Sequence, residues 1–184
     1  NEFLGRARKH YGYKYVVAIA GNHDWCLDPA NYPEINEELP KLLSNVTHYL
    51  NNSFVVIEGV KIYGTPNSNA GPAYYSRNLE EIWKAIPDDT DVLLTHMPPK
   101  NILDLAWNPK QESTDVCEQC HQSHKYYEHW GSGYLAQHIF KRVKPKVHMF
   151  GHVHDEYGNV MKQDVWFINS ALKWKPMRLP QTFD

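Results

Sequence analysis

Tyr15-Val16-Val17-Ala18-Ile19-Ala20-Gly21-Asn22-His23-Asp24 reads as an apolar run of strand length that stops abruptly in a polar, glycine-led turn. Such a run is the pattern of a strand covered on both faces, as in the sheets of α/β domains. Two later segments repeat it. Asp91-Val92-Leu93-Leu94-Thr95 ends at His96, and Lys146-Val147-His148-Met149-Phe150 ends at Gly151-His152-Val153-His154. In α/β sheets, ligands gather outside the carboxyl ends of the strands, where loops begin. Three such ends, delivering Asn22, His96 and a His-x-His pair, are expected to converge on one point. In an extended geometry His152 and His154 project to the same side, with Val153 facing away. Their imidazoles, that of His96 and the amide oxygen of Asn22 make a nitrogen/oxygen shell suited to Zn, Mn or Fe, without soft thiolate. Glycine before Asn22 and before His152 is expected to permit a turn that a side chain would obstruct.

Working outward, Glu2 to His10 reads as an exposed helix, and residues 34–44 carry a weak helical pattern interrupted by Pro40. Thr47–Leu50, Phe54–Ile57 and Lys61–Gly64 are expected to form an antiparallel meander, turning at Asn51-Asn52-Ser53 and at Gly59. Leu79 to Ile86 reads as a short helix closed by Pro87. Ser132 is expected to cap a second helix whose stripe is Tyr134, Leu135, His138, Ile139 and Val143, stopped by Pro145. Residues 100–131 have no clear period and read as a long loop beside the site. Val165–Ile168 gives a late strand, and the tail after Lys173 is punctuated by proline.

With 184 residues, the chain is expected to form one domain over 1–184. Lys and Arg number 19 against 21 Asp and Glu, a formal charge of −2. That balance argues against coating nucleic acid or an acidic membrane. No apolar run approaches the ~18 residues of a membrane span, and no signal-peptide pattern opens the sequence. Three cysteines, Cys26, Cys117 and Cys120, cannot all pair within one chain, so a reducing, cytoplasmic setting is expected. Oligomeric state is not legible.

The ordered set Gly21-Asn22-His23-Asp24, then Thr95-His96, then Gly151-His152-Val153-His154 resembles the calcineurin-like metallophosphoesterase superfamily, within it the small metallophosphoesterase-domain-containing branch. Lys61-Ile62-Tyr63-Gly64-Thr65-Pro66 and Met97-Pro98-Pro99 add to the likeness, which extends over nearly the whole chain except roughly residues 108–130. The resemblance implies an α/β fold, an αββα sandwich. It implies Asn22, His96 and His152 as ligands of one metal and His154 as a ligand of a second, with Mn, Fe or Zn as the ions. It also implies hydrolysis of a small phosphoester, a phosphodiester of nucleotide type, through a water activated by two metals. His23 then resembles the group that protonates the leaving oxygen, with Asp24 orienting its imidazole. The family's Asp-x-His and Gly-Asp-x-x-Asp motifs, which precede Gly-Asn-His-Asp, are not in this sequence. The chain therefore reads as the C-terminal portion of the fold, with little activity expected of these residues alone. The alternative function is an impaired domain that binds nucleotide or a protein partner.

Other features compete for attention. Cys117-Glu118-Gln119-Cys120-His121 spells the C-x-x-C-H pattern of haem attachment, and the nearby His124 opens a small zinc site as a second reading. An ordinary loop with free thiols is the preferred expectation. Lone histidines such as His48, His129 and His138 read as surface or hydrogen-bonded residues. Tyr74, Tyr75 and Trp107 could stack a base, although such aromatics more often pack.

Overall fold

The computed structural model describes residues 2–172; the proline-punctuated tail lies outside them. An exposed helix, α1 (Glu2–Tyr11), leads to a short strand, β1 (Val17–Ala18), and the loop carrying Asn22. Helix α2 (Ile35–Leu42) runs through Pro40 instead of breaking there, and Leu43 N–H still closes on Leu39 O at 2.8 Å. Strand β2 (His48–Tyr49) pairs with β1 in parallel. Only the next two expected strands, β3 (Ser53–Ile57) and β4 (Val60–Thr65), form an antiparallel pair. The three-strand meander is thus a hairpin plus a strand of a different sheet. The hairpin turns on Glu58 and Gly59, both left-handed at φ 51° and 86°, which suits the twist of the flanking strands.

Helix α3 (Leu79–Lys84), strand β5 (Val92–Thr95), and the ribbon of β6 (Leu105–Trp107) with β7 (Tyr127–His129) follow. Ser132 caps α4 (Gly133–His138), its Oγ accepting Leu135 N–H at 3.2 Å, and a wider turn continues to Val143. Lys144, left-handed at φ 46°, ends it. The chain closes with β8 (Val147–Phe150), β9 (Gly158–Lys162) and β10 (Val165–Asn169). The main sheet has the order β3-β4-β5-β8-β10-β9: four parallel strands with an antiparallel strand at each edge. Strand β9 escaped the sequence reading because its hairpin turns on Gln163 and Asp164, left-handed without glycine.

Side chains alternate across the sheet. Tyr63, Leu93 and Phe167 face α3 and α4, where Trp83, Leu135 and Ile139 complete the core. Gly64 and Leu94 face the other way, toward the layer of β1 and β2. A Cβ at Gly64 would lie 2.5 Å from Leu50 Cβ and 2.7 Å from Ile19 Cγ2, so glycine there lets that layer close onto the sheet. The result is the α/β architecture expected, with the main sheet between helices and a second β layer. Among the described residues, no helix is long and apolar enough to cross a membrane.

Candidate metal centre

Strands β5 and β8 are parallel neighbours, with Leu94 opposite Met149, so the loops beginning at His96 and Gly151 leave the same sheet edge side by side. Backbone bonds lock them: His96 N–H donates to Thr65 O at 3.1 Å, and Gly151 N–H to His96 O at 3.2 Å. The loop after β1 reaches this edge from the second layer and is held there by Ala73 N–H on Asn22 O at 3.1 Å.

The side chains converge. His96 Nε2 lies 2.7 Å from Asn22 Oδ1 and 3.1 Å from His152 Nδ1. An octahedral cation about 2.1 Å from its donors would hold neighbouring donors about 3 Å apart, so this spacing fits a metal ion. The chemistry fits too. Burial, then the fields of His152, His23 and His154, pushes the His96 imidazole down to about 3. Burial, then His154 and His23, pushes His152 down to about 4. Both rings are therefore neutral at physiological pH, the form that donates a lone pair to a cation. His152 adopts a left-handed backbone, φ 66°, a conformation concentrated at functional sites.

These residues line a cavity of about 490 Å³ together with His23, Asp24, His154 and Asp155. The cavity has the size of a small-molecule site. A larger groove of about 640 Å³ near Phe54, Tyr63 and Ile82 has no histidine or cysteine in its lining. Asp24 Oδ2 accepts Gly21 N–H at 2.7 Å, so its carboxylate braces the turn that carries His23. Gly21 is needed for close approach: a Cβ there would sit 2.6 Å from His96 Nδ1. The same expectation fails at Gly151, where a Cβ would meet nothing within 4 Å; the unusual backbone belongs to His152 itself.

The β6–β7 ribbon forms the far wall. Trp107 N–H donates to Asp155 Oδ2 at 3.0 Å and Leu105 N–H to Glu156 Oε2 at 2.9 Å, which ties the ribbon to the loop after His154. Trp107 and Trp130 line the cavity, and the Trp130 ring lies 5.7 Å from that of His152. Trp130 was not singled out from the sequence, since nothing local marks it. Tyr74, by contrast, is packed in a small core cluster with its hydroxyl 2.6 Å from that of Tyr49, so it is not a stacking residue. Asp28 is also structural, accepting Tyr74 N–H at 2.6 Å and Ala30 N–H at 3.0 Å.

A family model described as calcineurin-like phosphoesterase matches residues 1–156. The chain belongs to the calcineurin-like phosphoesterase family. Calcineurin-like phosphoesterases use divalent metal ions, which agrees with the donor set described above. Human metallophosphoesterase domain-containing protein 1 is 28% identical, the match covering all of this chain and 58% of that protein. UPF0046 protein K07C11.7 of Caenorhabditis elegans is 32% identical over 88% of this chain and 53% of its own length. The chain thus spans little more than half of these relatives. A solved crystal structure shares the fold at a TM-score of 0.54, with 17% identity, over 93% of this chain and 63% of that one.

Proposed function

We propose that this cavity belongs to a metal-dependent phosphoester hydrolase acting on phosphodiesters of nucleotide type. The observation that carries the reading is the meeting of Asn22 Oδ1, His96 Nε2 and His152 Nδ1, at 2.7 and 3.1 Å, beside His23 in one cavity. Asn22, His96 and His152 would hold one cation and His154 would contribute to a second. Bound divalent ions supply positive charge to phosphoryl oxygens and acidify the attacking water.

The chain's own groups do the rest. The ligand turn is braced by Asp24, which sets where His23 stands. His23 donates a proton to the leaving oxygen as the bond to phosphorus breaks, because an expelled alkoxide is a poor leaving group until it is neutralised. Trp107 and Trp130 give the organic part of the substrate an apolar wall, and an indole face suits a nucleobase. The impaired nucleotide- or partner-binding alternative is not favoured by the family relationship.

The experiment is turnover of a dinucleotide phosphodiester, whose leaving group is an alkoxide, by the full-length protein, with and without added Mn²⁺ after chelation. His23→Ala is expected to lower kcat by ~10²–10⁴ while metal content stays unchanged. Loss of metal from that variant would make His23 a ligand, and undiminished turnover would remove it from the mechanism. Hydrolysis indifferent to chelation would overturn the whole reading.

A further inference from the structure

The stretch between β6 and β7 left a second set of metal-ligating groups unexplained. Cys117, Cys120, His124 and His129 each offer a ligand atom, and all four atoms lie within 4.8 Å of one another. Four ligands around a tetrahedral zinc stand about 3.3–3.8 Å apart, so closure requires movements of about an ångström. The spacing is Cys-x2-Cys-x3-His-x4-His, within the range of structural zinc sites. His129, read from the sequence as an ordinary histidine, is the fourth member; His121 of the haem-like pattern is not in the group.

The fold brings them together from two directions. His129 sits opposite Leu105 in the ribbon, fixed by strand pairing. The two cysteines sit on a tight turn closed by His121 N–H on Cys117 O at 2.8 Å and Cys117 N–H on Gln122 O at 2.9 Å. Gln119 N–H donates to Cys117 Sγ at 3.4 Å, a contact that favours a thiolate.

The histidines carry the decisive detail. His129 Nδ1 lies 2.8 Å from Oδ1 of Asp104, and His124 Nδ1 lies 2.9 Å from Tyr127 O. In each pair Nδ1–H is the donor, which turns the lone pair of the other nitrogen outward from the bond. Both Nε2 atoms are buried without a hydrogen-bond partner. The His129 side chain is only 5% exposed and Asp104 only 1%. An unpaired buried nitrogen is costly whether it carries a proton or a lone pair, and two of them facing two thiols are a ligand set lacking only its ion. A histidine that binds metal through one nitrogen typically gives its other N–H to a carboxylate or a backbone carbonyl, as here.

We propose that Cys117, Cys120, His124 and His129 bind one Zn²⁺ tetrahedrally, in a structural site separate from the catalytic cavity. Two thiolates and two neutral imidazoles balance the ion's charge, and a mixed sulfur/nitrogen tetrahedron selects zinc over Mn²⁺ or Mg²⁺. The site would pin the ribbon that walls the cavity. Asp104 joins the two places: its Oδ1 holds His129, its Oδ2 accepts Gly131 N–H at 3.1 Å, and its carbonyl accepts Trp130 N–H at 3.0 Å.

The test is cobalt substitution of the full-length protein under reducing conditions, followed by absorption spectroscopy. One Co²⁺ is expected to give tetrahedral d–d bands and sulfur-to-cobalt charge transfer. These are lost in Cys117→Ser/Cys120→Ser and retained in His96→Ala/His152→Ala. Asp104→Asn, which leaves all four ligands in place, is expected to weaken zinc binding about 10–100-fold. Should the cysteine variant fail to fold, titrating wild-type thiols with a mercurial is expected to release one equivalent of zinc. Absence of the charge-transfer band in wild type, its persistence without the two cysteines, or a thiol titration releasing no zinc would overturn the proposal.

Discussion

His96 and Gly21 are bound by a distance. The imidazole lies so close to the Gly21 backbone that a methyl group at position 21 would come within 2.6 Å of Nδ1. Gly21→Ala must therefore displace a ring whose Nε2 stands among the donors proposed for the cation. The expected outcome is a loss of metal affinity with little loss of fold, measured by calorimetric titration with Mn²⁺. Gly151→Ala is the control, since a methyl there meets open space, and unchanged affinity is expected. Equal effects of the two substitutions would mean that backbone flexibility, not the approach of His96, is what glycine provides. At this scale the sequence was informative wherever chemistry is written in residue type: Asn22, His96, His152 and His154 share one cavity. It was silent about Trp130 and about the partnership of His129 with the cysteines. Those depend on which strand lies beside which, and no local pattern encodes that.

Helix α3 ends against Arg142, which reaches across from the turn following α4. Its guanidinium donates to Ile86 O at 2.6 Å, Trp83 O at 3.1 Å and Lys84 O at 3.3 Å, and it pairs with Asp88. These carbonyls lie at a helix end, where intrahelical partners run out and a cation is favoured. Arg142→Ala is expected to destabilise the protein by about 1–3 kcal/mol, read from the urea midpoint. Arg142→Lys should recover only part, because one ammonium cannot reproduce the planar fork. A substitution without effect would show these bonds to be replaced by water at no cost. The helices α3 and α4 were legible beforehand because their apolar spacing and the Ser132 cap are local properties. The β6–β7 ribbon was not, since Leu105–Trp107 and Tyr127–His129 are three residues each and acquire meaning only by pairing.

Among the described residues, burial favours the neutral form of His148, His96 and His152 strongly enough to matter for the whole molecule. His148 is fully buried on the helix-facing side of the sheet, its Nε2 2.8 Å from Thr95 Oγ1, and burial pushes it down to about 3. His96 stands at about 3 and His152 at about 4. An unfolded chain takes up these protons near pH 6.5, whereas the folded chain refuses them. Stability is therefore complete above about pH 6.5 and declines as pH falls toward 3 to 4. Metal-free protein is expected to show a falling urea midpoint across that window. His148→Phe, which keeps the ring contacts with Phe150 and Phe167, should make the decline shallower. A midpoint independent of pH, or an unaltered slope in the variant, would contradict this account.

By itself the sequence determined the α/β class, the buried strands at β5 and β8, and the residue types fit to meet a metal, because hydropathy and donor chemistry belong to each residue. Tertiary structure alone decided that β2 joins β1 and leaves the hairpin. It alone placed Trp107 and Trp130 on the cavity wall, and joined Cys117 and Cys120 to His124 and His129. Those arrangements depend on pairing between segments far apart in the chain, whose free energy exists only once both partners are in place.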